Sequence, residues 1–138
     1  MTQTGPRQRG FTLVETLASV SLLAVIGSAL ATTTVATIRA NARSKDMSAA
    51  SALVHDRVEA FRSMDPAHPD LAPGTHQDAR NPVNPLGQTG GKFTRSWSVT
   101  ANSPRMGLST VVVTIQWSTP PGGVVRGVTY VCRTPTCS

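Results

Sequence analysis

From Phe11 to Leu30 charge almost vanishes: this mostly apolar twenty-residue stretch carries a single formal charge, Glu15. About twenty mostly apolar residues at ~1.5 Å of helical rise match a hydrocarbon core of ~30 Å. Beyond Thr34 the pattern changes. Met47, Ala50, Val54, Val58 and Phe61 recur at steps of three and four with Leu53 beside them, while Lys45, Asp46, His55, Asp56, Glu59 and Arg62 fall mostly on other faces. That spacing predicts an amphipathic helix whose apolar stripe needs a sheet to cover it, with His55 and Glu59 as an i,i+4 pair. No proline and one glycine, Gly27, occur between Phe11 and Met64. The two stretches therefore read as one helix, the alternative being two helices kinked near Gly27 or at the β-branched run Thr32-Thr33-Thr34-Val35. Asp65-Pro66 ends it, because proline disfavours helical geometry in the residue before it.

From 65 to 92 no periodic apolar pattern survives among Pro66, Pro69, Pro73-Gly74, Pro82, Pro85, Gly87 and Gly90-Gly91. A loop of that length is expected to be functional or mobile. Alternation then returns. Phe93, Trp97 and Val99 share one face of a first strand, and Val111, Val113, Ile115 and Trp117 one face of a second. A third strand, Val124 to Cys132, puts Val124, Val128, Tyr130 and Cys132 in phase with Gly127 as a candidate bulge. Turn signals at Ser103-Pro104 and Pro120-Pro121-Gly122-Gly123 predict an antiparallel meander. The expected fold is α+β, a long N-terminal helix packed on a small sheet of three to four strands.

Composition narrows this. With 138 residues there is room for one domain beyond the apolar segment. Charged residues are 14% and aromatics 4%, so its core must be small and rest on Val, Leu, Ile and two Trp. The formal charge is +6, from 13 basic and 7 acidic residues; without Arg7 and Arg9, 11 basic side chains face 7 acidic ones, +4. Such a balance permits anionic partners without demanding them.

Glu15 is the anomaly, since a carboxylate in hydrocarbon costs a few kcal/mol unless something neutralises it. A cleaved signal peptide, with Arg7 and Arg9 as its charged region and Ala29-Leu30-Ala31 as the cleavage site, leaves Glu15 unexplained and is longer than usual. A plain membrane anchor fits the length but ignores the carboxylate. Cleavage between Gly10 and Phe11 instead creates an α-amino group four residues before Glu15, within reach on one helix face or between neighbouring subunits. An anion in the first turn also suits the helix dipole.

Gly10-Phe11-Thr12-Leu13-Val14-Glu15-Thr16-Leu17, after a basic leader and before an apolar segment, resembles the class III signal of type IV pilins and type II secretion pseudopilins. The resemblance implies cleavage after Gly10 by a membrane aspartyl peptidase, N-methylation of Phe11 by the same enzyme, and Glu15 as the assembly residue. It implies a pilin-like α+β fold: leader 1–10, membrane or filament-core half of the helix 11–31, amphipathic half 32–64, αβ-loop 65–92, and sheet with C-terminal loop 93–138. Implied partners are other pilin or pseudopilin subunits in a helical filament, the prepilin peptidase, an inner-membrane assembly platform and, before assembly, the membrane itself, crossed once with the N-terminus inside. The destination is a periplasmic pseudopilus or an extracellular pilus. Arg39, Arg43 and Lys45 follow the apolar segment closely, so charge counts alone do not set this orientation.

The soluble half is similar to PilV-type minor pilins and I-type minor pseudopilins in Ala49-Ala50-Ser51-Ala52-Leu53, Val58-Glu59-Ala60-Phe61-Arg62-Ser63 and Val111-Val112-Val113-Thr114-Ile115-Gln116-Trp117. Glu15 argues against the K-type tip pseudopilin, which typically lacks that carboxylate. In an exported domain Cys132 and Cys137 read as a disulfide closing a small loop, worth on the order of 2 kcal/mol, with two free thiols or half a metal site as alternatives.

Other chemistry is sparse. Asp65, His68, Asp70, His76 and Asp78 offer oxygen and imidazole ligands in one loop, at spacings that match no defined metal site and are equally those of a solvated turn. Arg80, Lys92, Arg95, Arg105, Arg126 and Arg133 would suit DNA if they formed one face, and otherwise serve as scattered solubilising charge; aromatics for base stacking are few. No catalytic arrangement, cofactor loop or metal motif is expected, and the chain reads as a structural subunit rather than an enzyme. A DNA- or ligand-binding module on a pilin stem, serving competence or adhesion, is the alternative.

Overall fold

A computed structural model describes residues 12–120 and 122–133. The fold is α+β: one helix, α1 (Leu13–Ser63), a 3-10 turn (Pro69–Leu71), and four strands, β1 (Gly74–Gln77), β2 (Thr94–Ala101), β3 (Leu108–Trp117) and β4 (Gly123–Cys132). The chain divides into two compact units between Ala40 and Asn41, inside α1.

In the first unit α1 is unbroken through Gly27 and through the Thr32–Val35 run. Its hydroxyls are satisfied within the helix. Thr16, Ser19, Ser21, Ser28, Thr32, Thr33, Thr34 and Thr37 each donate to a carbonyl three or four residues back, most at 2.8–2.9 Å. A polar side chain satisfied by its own helix needs no partner from the surroundings. Leu13, Val14, Leu17, Val20, Leu22, Leu23, Val25 and Leu30 are all exposed. α1 is long and apolar enough to cross a membrane.

In the second unit the sheet is an antiparallel meander in the order β1-β2-β3-β4. Ala50, Leu53, Val54, Val58 and Phe61 of α1 are buried against it. Met47, expected in this stripe, is 40% exposed, because the buried face begins one turn later at Ala50. Glu59 pairs with Arg62 at 2.7 Å rather than with His55. Phe93, Trp97 and Val99 from the β2 segment and Val111, Val113, Ile115 and Trp117 from β3 complete the core, with phases as the alternation predicts. Phe61 meets Trp97 at 5.4 Å and Phe93 meets Trp117 edge-on at 5.6 Å, geometries that aromatic quadrupoles favour.

The last strand corrects the sequence reading. Its inward residues are Val125, Gly127, Thr129 and Val131, while Val124, Val128, Tyr130 and Cys132 face outward. Pairing with β3 runs residue for residue from Leu108↔Cys132 to Trp117↔Gly123, so Gly127 is not a bulge. It is glycine because α1 crosses there: a Cβ would overlap Cγ1 of Val54.

The segment 65–92 is built rather than loose. Asp65 Oδ1 accepts from the Ala67 amide, turning the chain out of α1, and His68 Nδ1 accepts from the Asp70 amide to cap the 3-10 turn. That turn buries Leu71, and β1 follows as an edge strand on β2. Farther on, Asn84 Oδ1 accepts from the Leu86 and Gln88 amides, and Val83 bridges to Thr89 and Phe93 with its side chain fully buried. Trp97 Nε1 donates to the Asp70 carbonyl at 2.7 Å. Trp97→Phe keeps an aromatic ring beside Phe61 but is smaller and leaves the Asp70 carbonyl without this donor, so we expect a loss of at least about 1–2 kcal/mol. Urea unfolding of the full chain in detergent, followed by Trp117 fluorescence, checks this; an unchanged midpoint would mean that water replaces the donor.

Candidate assembly site and the fastened loop

The candidate assembly site is the first turn of α1. Thr12 precedes the helix, its carbonyl accepts from the Glu15 and Thr16 amides at 3.0 and 3.2 Å, and its Oγ1 lies 3.3 Å from the Glu15 amide. Thr12 is thus the N-cap and Glu15 the third helical residue, the Thr-x-x-Glu spacing of a capping box. This signal was present in the sequence and not drawn from it. It fixes where the helix begins and holds Glu15 in the turn where positive amide ends converge. Gly10 and Phe11 lie outside the described residues, as does Cys137; Cys132 ends β4 and is exposed.

The loop residues with metal-ligand chemistry are engaged elsewhere. Asp70 accepts from Arg57 at 2.7 Å, His76 Nε2 lies 2.8 Å from the Ala72 carbonyl, and Asp78 is bound to Arg95. Among the described residues no three His, Cys, Asp or Glu side chains gather as a metal site would require.

The basic face is also dispersed. Lys92 pairs with Asp46 at 2.6 Å, Arg80 lies 3.4 Å from Asp78, and the Arg133 guanidinium donates to the Leu71 carbonyl. Arg95 is fully buried. Its Nε and Nη2 reach Asp78 Oδ2 at 2.7 and 2.5 Å, and Nη1 lies 3.5 Å from Asp56. The backbone of the same residue holds the loop as well. Asn81 Oδ1 accepts from the Arg95 amide and Asn81 Nδ2 donates to the Arg95 carbonyl, both at 2.8 Å, and the Asp78 amide donates to that carbonyl at 3.1 Å. Burial alone would raise the Asp78 pKa, but the Arg80 amide and the Arg95 guanidinium outweigh it and hold the carboxyl below its ordinary range. Arg95 is therefore a fastener for residues 78–81 and contributes nothing to an outward positive face.

Residues 5–31 match the family model of the prokaryotic N-terminal methylation motif. No curated protein and no solved structure gives a significant match. The matched segment contains Gly10, Phe11 and Glu15 and runs into the exposed apolar half of α1. The N-terminal segment thus carries the prokaryotic methylation motif, the class III signal that type IV pilins bear, and leads into a helix long and apolar enough to cross a membrane.

Proposed function

We propose that this protein is a minor pilin or pseudopilin, a structural subunit of a type IV pilus or type II secretion filament. Prepilin peptidase cuts it between Gly10 and Phe11 and methylates Phe11. The mature subunit waits in the inner membrane, spanning it once with the N-terminus inside, and joins other pilin or pseudopilin subunits at the assembly platform. It then resides in a periplasmic pseudopilus or an extracellular pilus. Glu15 meets the new amine, in its own chain or the next, and the neutralised pair enters an apolar helix bundle. The observation that supports this most is the coincidence of the motif at residues 5–31 with a helix that starts at Leu13 and exposes its apolar side chains.

Intact mass of the mature protein is the test. We expect a chain beginning at N-methylated Phe11; a mature chain beginning at Thr32 would overturn the reading. Glu15→Ala should be cut normally yet enter filaments at least about tenfold less, the effect of losing ~1.4 kcal/mol of pairing. Quantitative immunoblots of sheared filaments against membranes measure it, and equal incorporation would remove Glu15 from assembly.

A further inference from the structure

The two edges of the sheet are finished differently. β1 is four residues long. β4 runs ten residues, pairs with β3 without a bulge, contains no proline and carries one charge, Arg126. It turns Val124, Val128 and Tyr130 to solvent, each about half exposed. Proteins that must keep an edge unpaired shorten, bulge or charge it; β4 has a single Arg and none of the other devices.

A groove of about 320 Å³ runs beside this edge, between α1 and β4. Gly127 leaves the strand side of it without a side chain, Val54 and Val58 form an apolar wall, and Ser51 and His55 of α1 line it as well; Arg126, in phase with outward Val124 and Val128, stands exposed on the other face of the same strand. Glu59, one turn beyond His55, is engaged by Arg62 at 2.7 Å. Among the described residues no ion pair holds Arg126. The β4 edge thus sets an exposed positive charge beside a row of backbone donors and acceptors that, among the described residues, no further strand pairs.

We propose that the β4 edge and the α1–β4 groove dock an extended acidic segment of another protein, which adds to the sheet as a fifth strand. The backbone row selects a polypeptide, because strand addition satisfies main-chain groups that no lipid or polysaccharide repeats in register. Arg126 selects a carboxylate on that segment, and Val128 and Tyr130 cover its apolar residues. Pairing of β4 with β4 of a second copy brings no counter-charge, since Gly123–Cys132 contains no Asp or Glu. The site is independent of the Glu15 pairing and would give a filament subunit a second, neighbour-selecting contact.

The test uses the full-length chain in its own cells, with the photo-reactive residue p-benzoylphenylalanine at position 128 or 130, and at exposed Met106 as the control. Cross-linked peptides are mapped by mass spectrometry. The expected adduct at 128 and 130, and not at 106, is one continuous segment of a different protein that contains Asp or Glu. Arg126→Glu should reduce it at least about tenfold and Arg126→Lys should largely retain it. Adducts to a second copy of this chain, to lipid or to polysaccharide overturn the proposal. So do equal adducts at 106, no adduct at all, or indifference to Arg126→Glu. The N-terminal mass of the same sample separates outcomes: methylated Phe11 without the adduct leaves the filament assignment standing and removes the docking site.

Discussion

Asp78→Ala lowers the stability of the sheet unit by about 3–5 kcal/mol, the range for removing one partner of a buried ion pair. Arg95 is fully buried and the Asp78 side chain 6% exposed, so the abandoned guanidinium has only Asp56, 3.5 Å away and largely in water, to turn to. Against a domain stability of ~5–15 kcal/mol this is a large share. The loss has a second component, because the Asp78 carboxylate also receives the Arg80 amide at 2.9 Å and so shapes residues 78–81. The paired replacement Asp78→Leu with Arg95→Met should recover most of the difference, since it removes the stranded charge along with its partner. Urea unfolding of the full chain in detergent, read from the buried Trp97 and Trp117, measures all three proteins. The same pair sets an acid limit. Asp78 has a folded pKa below its unfolded value of ~3.9, so its contribution is complete above that value and is lost as pH falls through the folded pKa. Wild type should weaken on acidification below about pH 4, and the Leu/Met pair should weaken less there.

Gly91→Ala is expected to disrupt the 82–91 turn and destabilise the unit by at least about 1–3 kcal/mol. A Cβ at Gly91 would overlap the Val83 carbonyl and the Asn84 amide, and neither is a side chain that could rotate away. The Gly90 and Gly91 amides both donate to the Pro82 carbonyl, at 2.8 and 3.1 Å. Moving residue 91 therefore breaks that pair of bonds and lifts Val83 from the core. Gly90→Ala serves as a contrast: open space surrounds that position, and its strain is confined to a backbone φ of +95°. Amide hydrogen exchange should show lost protection at Val83 and Phe93 in Gly91→Ala; unchanged protection at both would contradict the packing described.

The sequence carried the helix and three of the four strands through their periods alone. α1 follows from a long run without proline and an apolar step of three and four. β2 and β3 follow from alternation with large side chains on the buried face. β4 alternates equally well, yet its largest apolar residues lie outside. Its inner face holds Gly127 and Thr129 because α1 approaches too closely for bulk. The phase of Val124, Val128, Tyr130 and Cys132 holds, but size ranking does not tell that this face is the outer one. β1 was invisible, since Gly74-Thr75-His76-Gln77 has no apolar alternation and is a strand only through pairing with β2. Arg95 was legible and overlooked: the alternation that puts Phe93, Trp97 and Val99 inside puts Arg95 there too. Glu15 stood out as a charge in an apolar run, and Thr12 three residues earlier was the unread half of its capping pattern.

The hydroxyls of α1 bear on the transfer of a subunit between surroundings. Because each returns its proton to a carbonyl of its own helix, the segment carries its polar partners with it. Under the proposed filament role, leaving a bilayer for a bundle of like helices would exchange one set of van der Waals neighbours for another and break none of these side-chain hydrogen bonds. Such a helix is nearly indifferent to which apolar medium holds it, and under the proposed filament role Glu15 would be the group through which the two surroundings differ in free energy.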